Sequence, residues 1–358
     1  MIPSRFLLLP CLLLACATAH ANRFPAAFDT LTPRLMRTHK VPGVSIAWIQ
    51  NHEVVWLGQY GVKVAGERDP VVADTTFEAA SMSKPVFAYL CVQQLQAGRV
   101  DLDTPLVTYL GSPYPQAGDG HELMTLRHAL SHSGGMPNWR PGGRRGAGPI
   151  PQLFAPGTDF TYSGEGMWFA QQALEKHLGI RLDEWAQRDL LGPLGMRDSS
   201  YVWRDAYQTQ AARGHNRQGT RVEGNSGIYR QPNAAFSLYT TPADFAKYMI
   251  EMMRADRSAA HSINAEWRDV MLSPITRTTR DQIDRGVAKD GPVYFGLGWR
   301  IEETPLGRKV MHTGSNAAGF RCFSEFDPAT GNGVVIMTNS AVGNQVYSTL
   351  RKEIGGSL

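Results

Sequence analysis

A serine and a lysine stand three residues apart in Phe77-Glu-Ala-Ala-Ser81-Met-Ser-Lys84-Pro85-Val86, where a long helical pattern begins. Pro85 suits a first helical turn, since its missing N–H has no intrahelical role there. Apolar residues recur at Val86, Leu90, Val92 and Leu95 until Gly98 ends the run. Residues three apart share a helix face, so the Ser81 hydroxyl and the Lys84 amine can meet, and a helix N-terminus favours a nascent alkoxide. The spacing is common by chance, and an N-cap serine beside a solvated lysine fits it equally well. It acquires meaning only from what accompanies it.

A chain of 358 residues, 42% hydrophobic and 19% charged, has the composition of a globular protein large enough to bury a substantial core. The net charge is +4, but the basic residues are scattered and form no stripe with aromatic platforms. That argues against a nucleic-acid partner. The first residues read as an export leader: a charge at Arg5, an apolar run from Phe6 to Ala17, and the small-residue site Ala19-His-Ala21. Residues 1–21 are thus expected to be removed after Ala21, leaving a periplasmic or secreted protein. The run is too short, and too broken by Pro10, to span a membrane. Leu13-Leu-Ala-Cys16 offers a rival lipoprotein box, with Cys16 acylated as a lipid anchor. Cys91 and Cys322 both lie in apolar patterns and are expected to be buried free thiols.

Along the chain, Phe24 to His39 reads as a helix, and Val44 to Gln50 and Glu53 to Gly58 as strands about the turn Asn51-His52. After Gly98 the pattern breaks into short helical runs cut by Gly and Pro, as far as about Ser237. Thr241-Pro-Ala-Asp244 is a helix start, with a threonine cap and a proline in the first turn. Strands are expected again at Lys309–His312, Gly319–Phe326 and Gly333–Asn339, then a last helix from about Gln345 to Ile354. This is an α+β chain whose sheet draws on both ends (about 22–100 and 240–358), with a helical insert at about 101–239. Arg140-Pro-Gly-Gly-Arg-Arg-Gly-Ala-Gly148 reads as a flexible basic loop that could border a site, with Arg144 and Arg145 in it.

Two further motifs stand beside the first. Tyr162-Ser-Gly164 follows the turn Pro156-Gly157, and His312-Thr313-Gly314-Ser315 closes a late strand. Acyl transfer by serine needs a nucleophile, a proton acceptor and donors aimed at the developing oxyanion. Ser81 would attack; Lys84, if desolvated, and Tyr162, if nearby positive charge favours its phenolate, are both candidate bases.

These motifs, in this order, resemble those of the serine β-lactamase and penicillin-binding protein superfamily, on its class C side with DD-peptidases and β-lactamase-like esterases. Thr125-Leu-Arg-His-Ala-Leu-Ser-His-Ser-Gly134, Tyr239-Thr-Thr-Pro-Ala-Asp244 and Phe295-Gly-Leu-Gly-Trp299 are similar too, so the likeness covers essentially the whole mature chain. The resemblance implies a β-lactamase/transpeptidase-like fold: an antiparallel sheet flanked by helices, with an all-helical subdomain and the site between them. It implies oxyanion donors at the backbone N–H groups of Ser81 and Ser315, and substrate contacts along Thr313, Gly314 and Ser315. A glycine at 314 lets the strand approach closely.

His312 stands where many relatives carry lysine, putting a group that titrates near neutrality in place of a permanent charge. It would assist proton transfer or hold a substrate carboxylate. Gly164 stands where the family usually has an asparagine whose amide contacts the substrate and the lysine; Glu165 or a water is left to fill that role. His128 and His132, four apart on an expected helix, have a zinc-ligand spacing, but no glutamate accompanies them as in a zinc protease, and the resemblance explains the segment as packing. No metal or cofactor is called for. There is no Gly-x-Ser-x-Gly elbow, which argues against an ordinary α/β-hydrolase.

The expected activity is a monomeric, metal-free serine hydrolase with an acyl-Ser81 intermediate. Its substrate would be a small molecule or short peptide: a D-amino-acid peptide or small ester first, a β-lactam second. A non-catalytic penicillin- or peptide-binding module is the reading from another class. Retention of Ser81, Lys84 and Tyr162 together argues against it.

Overall fold

The computed structural model describes residues 23–223, 228–254, 259–278, 292–305 and 307–354; the expected leader, with Cys16 and the expected cleavage site, lies outside them. In chain order the main elements are α1 (Arg23–His39), β1 (Gly43–Gln50), β2 (Glu53–Gly61), β3 (Phe77–Glu78), α2 (Ser83–Gln96), α3 (Gly164–Leu178), β4 (Tyr239–Thr240) and α4 (Pro242–Met253). There follow β5 (Thr276–Arg277), β6 (Val293–Phe295), β7 (Arg300–Thr304), β8 (Gly307–Ser315), β9 (Arg321–Asp327), β10 (Asn332–Thr338) and α5 (Asn344–Ile354). Between α2 and α3, and between α3 and β4, the described helices are short, the longest continuous run being Leu182–Ala186 followed directly by Gln187–Leu191.

One antiparallel sheet runs β2-β1-β10-β9-β8-β7-β6-β5. It closes the two ends of the chain on each other, with Val44 opposite Thr338 and Ile49 opposite Gly333. The residues of β1 explain why it is central. Val44, Ile46 and Trp48 point into the apolar layer under α1 and α5, while Ala47 and Ile49 point into the larger core under α2 and α4. Both faces of the strand are therefore covered. The turn Asn51-His52 has left-handed φ values of 50° and 65° at the two residues, as a tight hairpin requires. On the terminal-helix side, Arg351 of α5 reaches Glu325 at 2.7 Å and Glu302 at 3.0 Å, and Arg300 meets Glu302 at 2.6 Å. This buried charge network ties α5 to β7 and β9.

Several elements differ from the sequence pattern. Strand β8 is longer than Lys309–His312 and takes in the whole His312–Ser315 box. Strand β9 starts at Arg321, because Gly319 at φ 92° turns the chain just before it. The short strands β5, β6 and β7 showed no alternation to detect. Helix α2 has no solvent face: every residue from Ser83 to Val92 is buried. Its apolar spacing therefore belongs to a helix surrounded by protein, not to an amphipathic one. Helix α4 begins as its cap predicts, with the Thr241 side chain accepting the Asp244 N–H at 3.1 Å. Cys91 and Cys322 are buried and free, and burial pushes the Cys322 thiol up to about 12.

Candidate active site

Ser81 sits on a one-turn helix, Ala80–Met82, just ahead of α2. Ala80 adopts φ 48°, a conformation an alanine enters only when its surroundings impose it. Three hydrogen bonds hold it there. The Ser83 hydroxyl donates to the Ala80 carbonyl at 2.6 Å and accepts the Leu238 N–H at 2.9 Å. The Ala79 N–H donates to the Leu238 carbonyl at 2.8 Å, continuing the β3–β4 pairing. From the other side β8 presses in: a Cβ on Gly314 would lie 2.1 Å from the Ala79 carbonyl oxygen. Only glycine permits that approach.

Lys84 lies in the first turn of α2 and is 1% exposed. Its Nζ donates to the Ser81 hydroxyl at 3.1 Å and to the Ala235 carbonyl at 2.8 Å. Burial lowers its pKa to about 7, so a large share of the amine is neutral near neutral pH. Tyr162 ends the segment leading into α3, and Lys84 Nζ stands 4.7 Å from its ring centroid. The His312 ring lies 6.2 Å from that of Tyr162, and its Nδ1 stands 2.8 Å from the Thr313 carbonyl, which places a proton on Nδ1. The register of β7 with β8 ends at Met311, so Thr313, Gly314 and Ser315 continue past it with only β9 registered beside them. Ser81 with Lys84, Tyr162, and the His312 box are thus brought to one place from three parts of the chain.

Three features escaped the sequence. The spacing of His128 and His132 on one helix does not hold, and His132 does more than pack: the helix carrying His128 stops at Leu130 and His132 lies beyond it at φ 58°. The fully buried His132 ring packs 4.3 Å from Tyr162 and 4.9 Å from Phe295. Its Nδ1 accepts the Ser163 N–H at 3.2 Å, which puts its proton on Nε2. Burial, then the charges of Lys84 and His312, hold it well below the usual histidine range, so it is neutral. Nothing local in the sequence announces that Tyr162 arrives beside it.

Glu78, three residues before Ser81, is the second feature. One of its oxygens accepts the Tyr229 hydroxyl at 2.8 Å and the Asn316 amide at 2.7 Å, and Asn316 follows Ser315 directly. Burial raises its pKa to about 7.

The third is the surroundings of Gly164. A Cβ there would lie 2.6 Å from the Trp139 indole and 2.8 Å from the Asn138 carbonyl oxygen. The indole occupies the space a side chain would need. Glu165 does not substitute for the missing asparagine: its carboxylate is bound by the Arg140 guanidinium, through two contacts of 2.9 Å. That ion pair also anchors the loop expected to be flexible. Its residues Gly143–Arg145 form a helical turn, and the Arg144 guanidinium lies 4.3 Å from the Phe236 ring centroid.

A serine in contact with a buried lysine amine, on a turn wedged between a helix and the open end of a central strand, defines a serine hydrolase of the Ser-x-x-Lys kind. The Beta-lactamase family model matches residues 28–355, and the chain belongs to that family. A β-lactamase of Pseudomonas fluorescens is 23% identical over 350 residues, covering 87% of this chain and 92% of that one. Esterase EstB of Burkholderia gladioli is 26% identical over 214 residues, 52% of this chain and 53% of the esterase. Among solved structures, a class C β-lactamase in complex with cefoxitin superposes with a TM-score of 0.76 at 21% identity, over 95% of this chain and 100% of the other. The D-alanine carboxypeptidase AmpC from Burkholderia cenocepacia gives 0.74 at 22% identity, over 94% and 100%. The fold is therefore β-lactamase/transpeptidase-like, and the chain is a serine hydrolase of the β-lactamase-related superfamily.

Proposed function

We propose that this chain is an exported hydrolase that acylates Ser81 with an amide or ester substrate, of the D-amino-acid-peptide or small-ester type. The observation carrying this reading is the contact of 3.1 Å between Ser81 and a buried Lys84 whose pKa lies at about 7. The neutral amine takes the Ser81 hydroxyl proton as Oγ bonds to the substrate carbonyl carbon. The oxyanion is met by the backbone N–H groups of Ser81 and Ser315. Collapse breaks the bond to the leaving group, which departs with a proton returned through Lys84 and Tyr162. Water then cleaves the acyl-serine. His312 faces the Tyr162 side of this path, and Thr313–Ser315 offer backbone along which a substrate would lie. Export rests on the leader pattern of residues 1–21, and the cited β-lactamases are compatible with it.

A β-lactamase is the second reading, favoured by the family's solved relatives and weakened by Gly164. One time course with a chromogenic cephalosporin and a short-chain p-nitrophenyl ester, read with intact-protein mass spectrometry, separates them. Steady ester turnover with a lasting cephalosporin adduct on Ser81 supports the first reading, and sustained cephalosporin turnover the second. Absence of any adduct or turnover, or a Ser81→Ala variant as active as the parent, overturns both.

A further inference from the structure

Trp139 and Phe236 are both partly exposed, whereas the residues they adjoin, Met136, Ala234 and Ala235, are buried. Their rings meet edge to face, with centroids 5.6 Å apart. Each is tied to a different piece of the site. Trp139 covers Gly164, two residues past Tyr162, and Phe236 follows Ala235, whose carbonyl holds Lys84 Nζ at 2.8 Å. The pair therefore spans from the Tyr162 side to the Lys84 side. Its position is fixed by Arg144 over Phe236 and by the backbone at Gly164, whose N–H donates to the Asn138 side chain at 3.0 Å.

We infer that Trp139 and Phe236 form a subsite for a flat apolar group of the substrate, so that the enzyme selects esters or amides carrying an aromatic or similar planar substituent. Two physical arguments support this. Aromatic side chains left partly exposed beside a site retain a transfer free energy that a ligand covering them can release. And with glycine at 164 the Trp139 end of the wall has no side chain there to bond a polar substituent, whose desolvation would go unrepaid at that position. Arg140 is bound to Glu165, and the Arg144 guanidinium lies against the Phe236 ring.

The inference rests on Ser81 acylation, and the test keeps the two apart. p-Nitrophenyl acetate, butyrate and phenylacetate vary the acyl group at constant leaving group; a matched set of acetate esters of aliphatic and aromatic alcohols varies the leaving group. Each is run on the parent, Trp139→Ala and Phe236→Leu, with Ser81 acetylation followed by mass. In at least one series the aromatic member should exceed the smallest by roughly tenfold in kcat/KM, and Trp139→Ala should remove most of that advantage while changing the smallest ester less than about threefold. The series that responds assigns the wall to the acyl or the leaving-group side. Equal preference in parent and both variants, with Ser81 still acetylated, overturns the subsite alone. Failure to acetylate Ser81 in the parent overturns the proposed function beneath it.

Discussion

The imidazole of His132 lies against the ring of Tyr162, centroid to centroid 4.3 Å, inside a pocket closed by Phe160 and Phe295. The two side chains come from opposite ends of a loop of about thirty residues, and the His132–Ser163 hydrogen bond holds that loop shut at the site. His132 is thereby placed to position Tyr162.

Replacing His132 with phenylalanine keeps the packing volume but leaves the Ser163 N–H buried without its acceptor. We expect a destabilisation of about 1–3 kcal/mol and a fall in kcat of one to two powers of ten with little change in KM. His132→Asn, which can restore an acceptor, should recover part of the loss. Steady-state kinetics with thermal melts check this; a drop in stability with unchanged kcat would reduce His132 to packing.

The pH profile follows from Lys84. Its pKa, lowered to about 7 by burial, makes the amine a proton acceptor above that pH and a cation below it. The acylation rate should therefore rise with pH through about 7 and fall off tenfold per unit on the acid side. Lys84→Ala should abolish this limb and cost about two or more powers of ten. Single-turnover acylation between pH 5 and 9 gives the reading.

Gly314→Ala sets a methyl group 2.1 Å from the Ala79 carbonyl oxygen. Either β8 or the turn bearing Ser81 must move, and both carry proposed oxyanion donors. A loss of about 10² in kcat/KM is expected, since removing one such donor has that effect. Circular dichroism should show the fold retained.

Glu78 makes stability depend on pH in a stated direction. With its folded-state pKa raised to about 7, the native protein holds a proton that the unfolded chain has released above the ordinary carboxylate range. Its contribution is therefore lost as pH rises through that window. Glu78→Gln keeps an acceptor for Tyr229 and Asn316 and removes the cost of ionisation. It should be more stable than the parent by on the order of 2 kcal/mol at pH 8, with the difference gone near pH 4. Denaturant melts at both pH values test it.

How much was legible beforehand varied with range. The Thr241 cap, the Asn51-His52 hairpin and the terminal helices are short-range matters of propensity and turn chemistry, and their sequences showed them. The strands β5 to β7 are too short to show a period of two, and α2 is buried on all sides, so its period misled about its surroundings. At the site, Gly164 was recognised as unusual, but its cause, an indole twenty-five residues away, was not visible.

The sequence by itself determined the chemistry on offer: Ser81 with Lys84 one helical turn on, Tyr162 and the His312 box in order, and glycine at 314. Spacing along a helix or strand fixes such relations without help from the rest of the chain. Only the tertiary structure decided how those groups behave. Distant segments bury Lys84 beside Ser81 and so lower its pKa to about 7, and Tyr162 packs against His132. Trp139 and Phe236 meet only because two separate loops converge. Each depends on desolvation and contact between residues far apart in sequence, and local pattern carries no record of either.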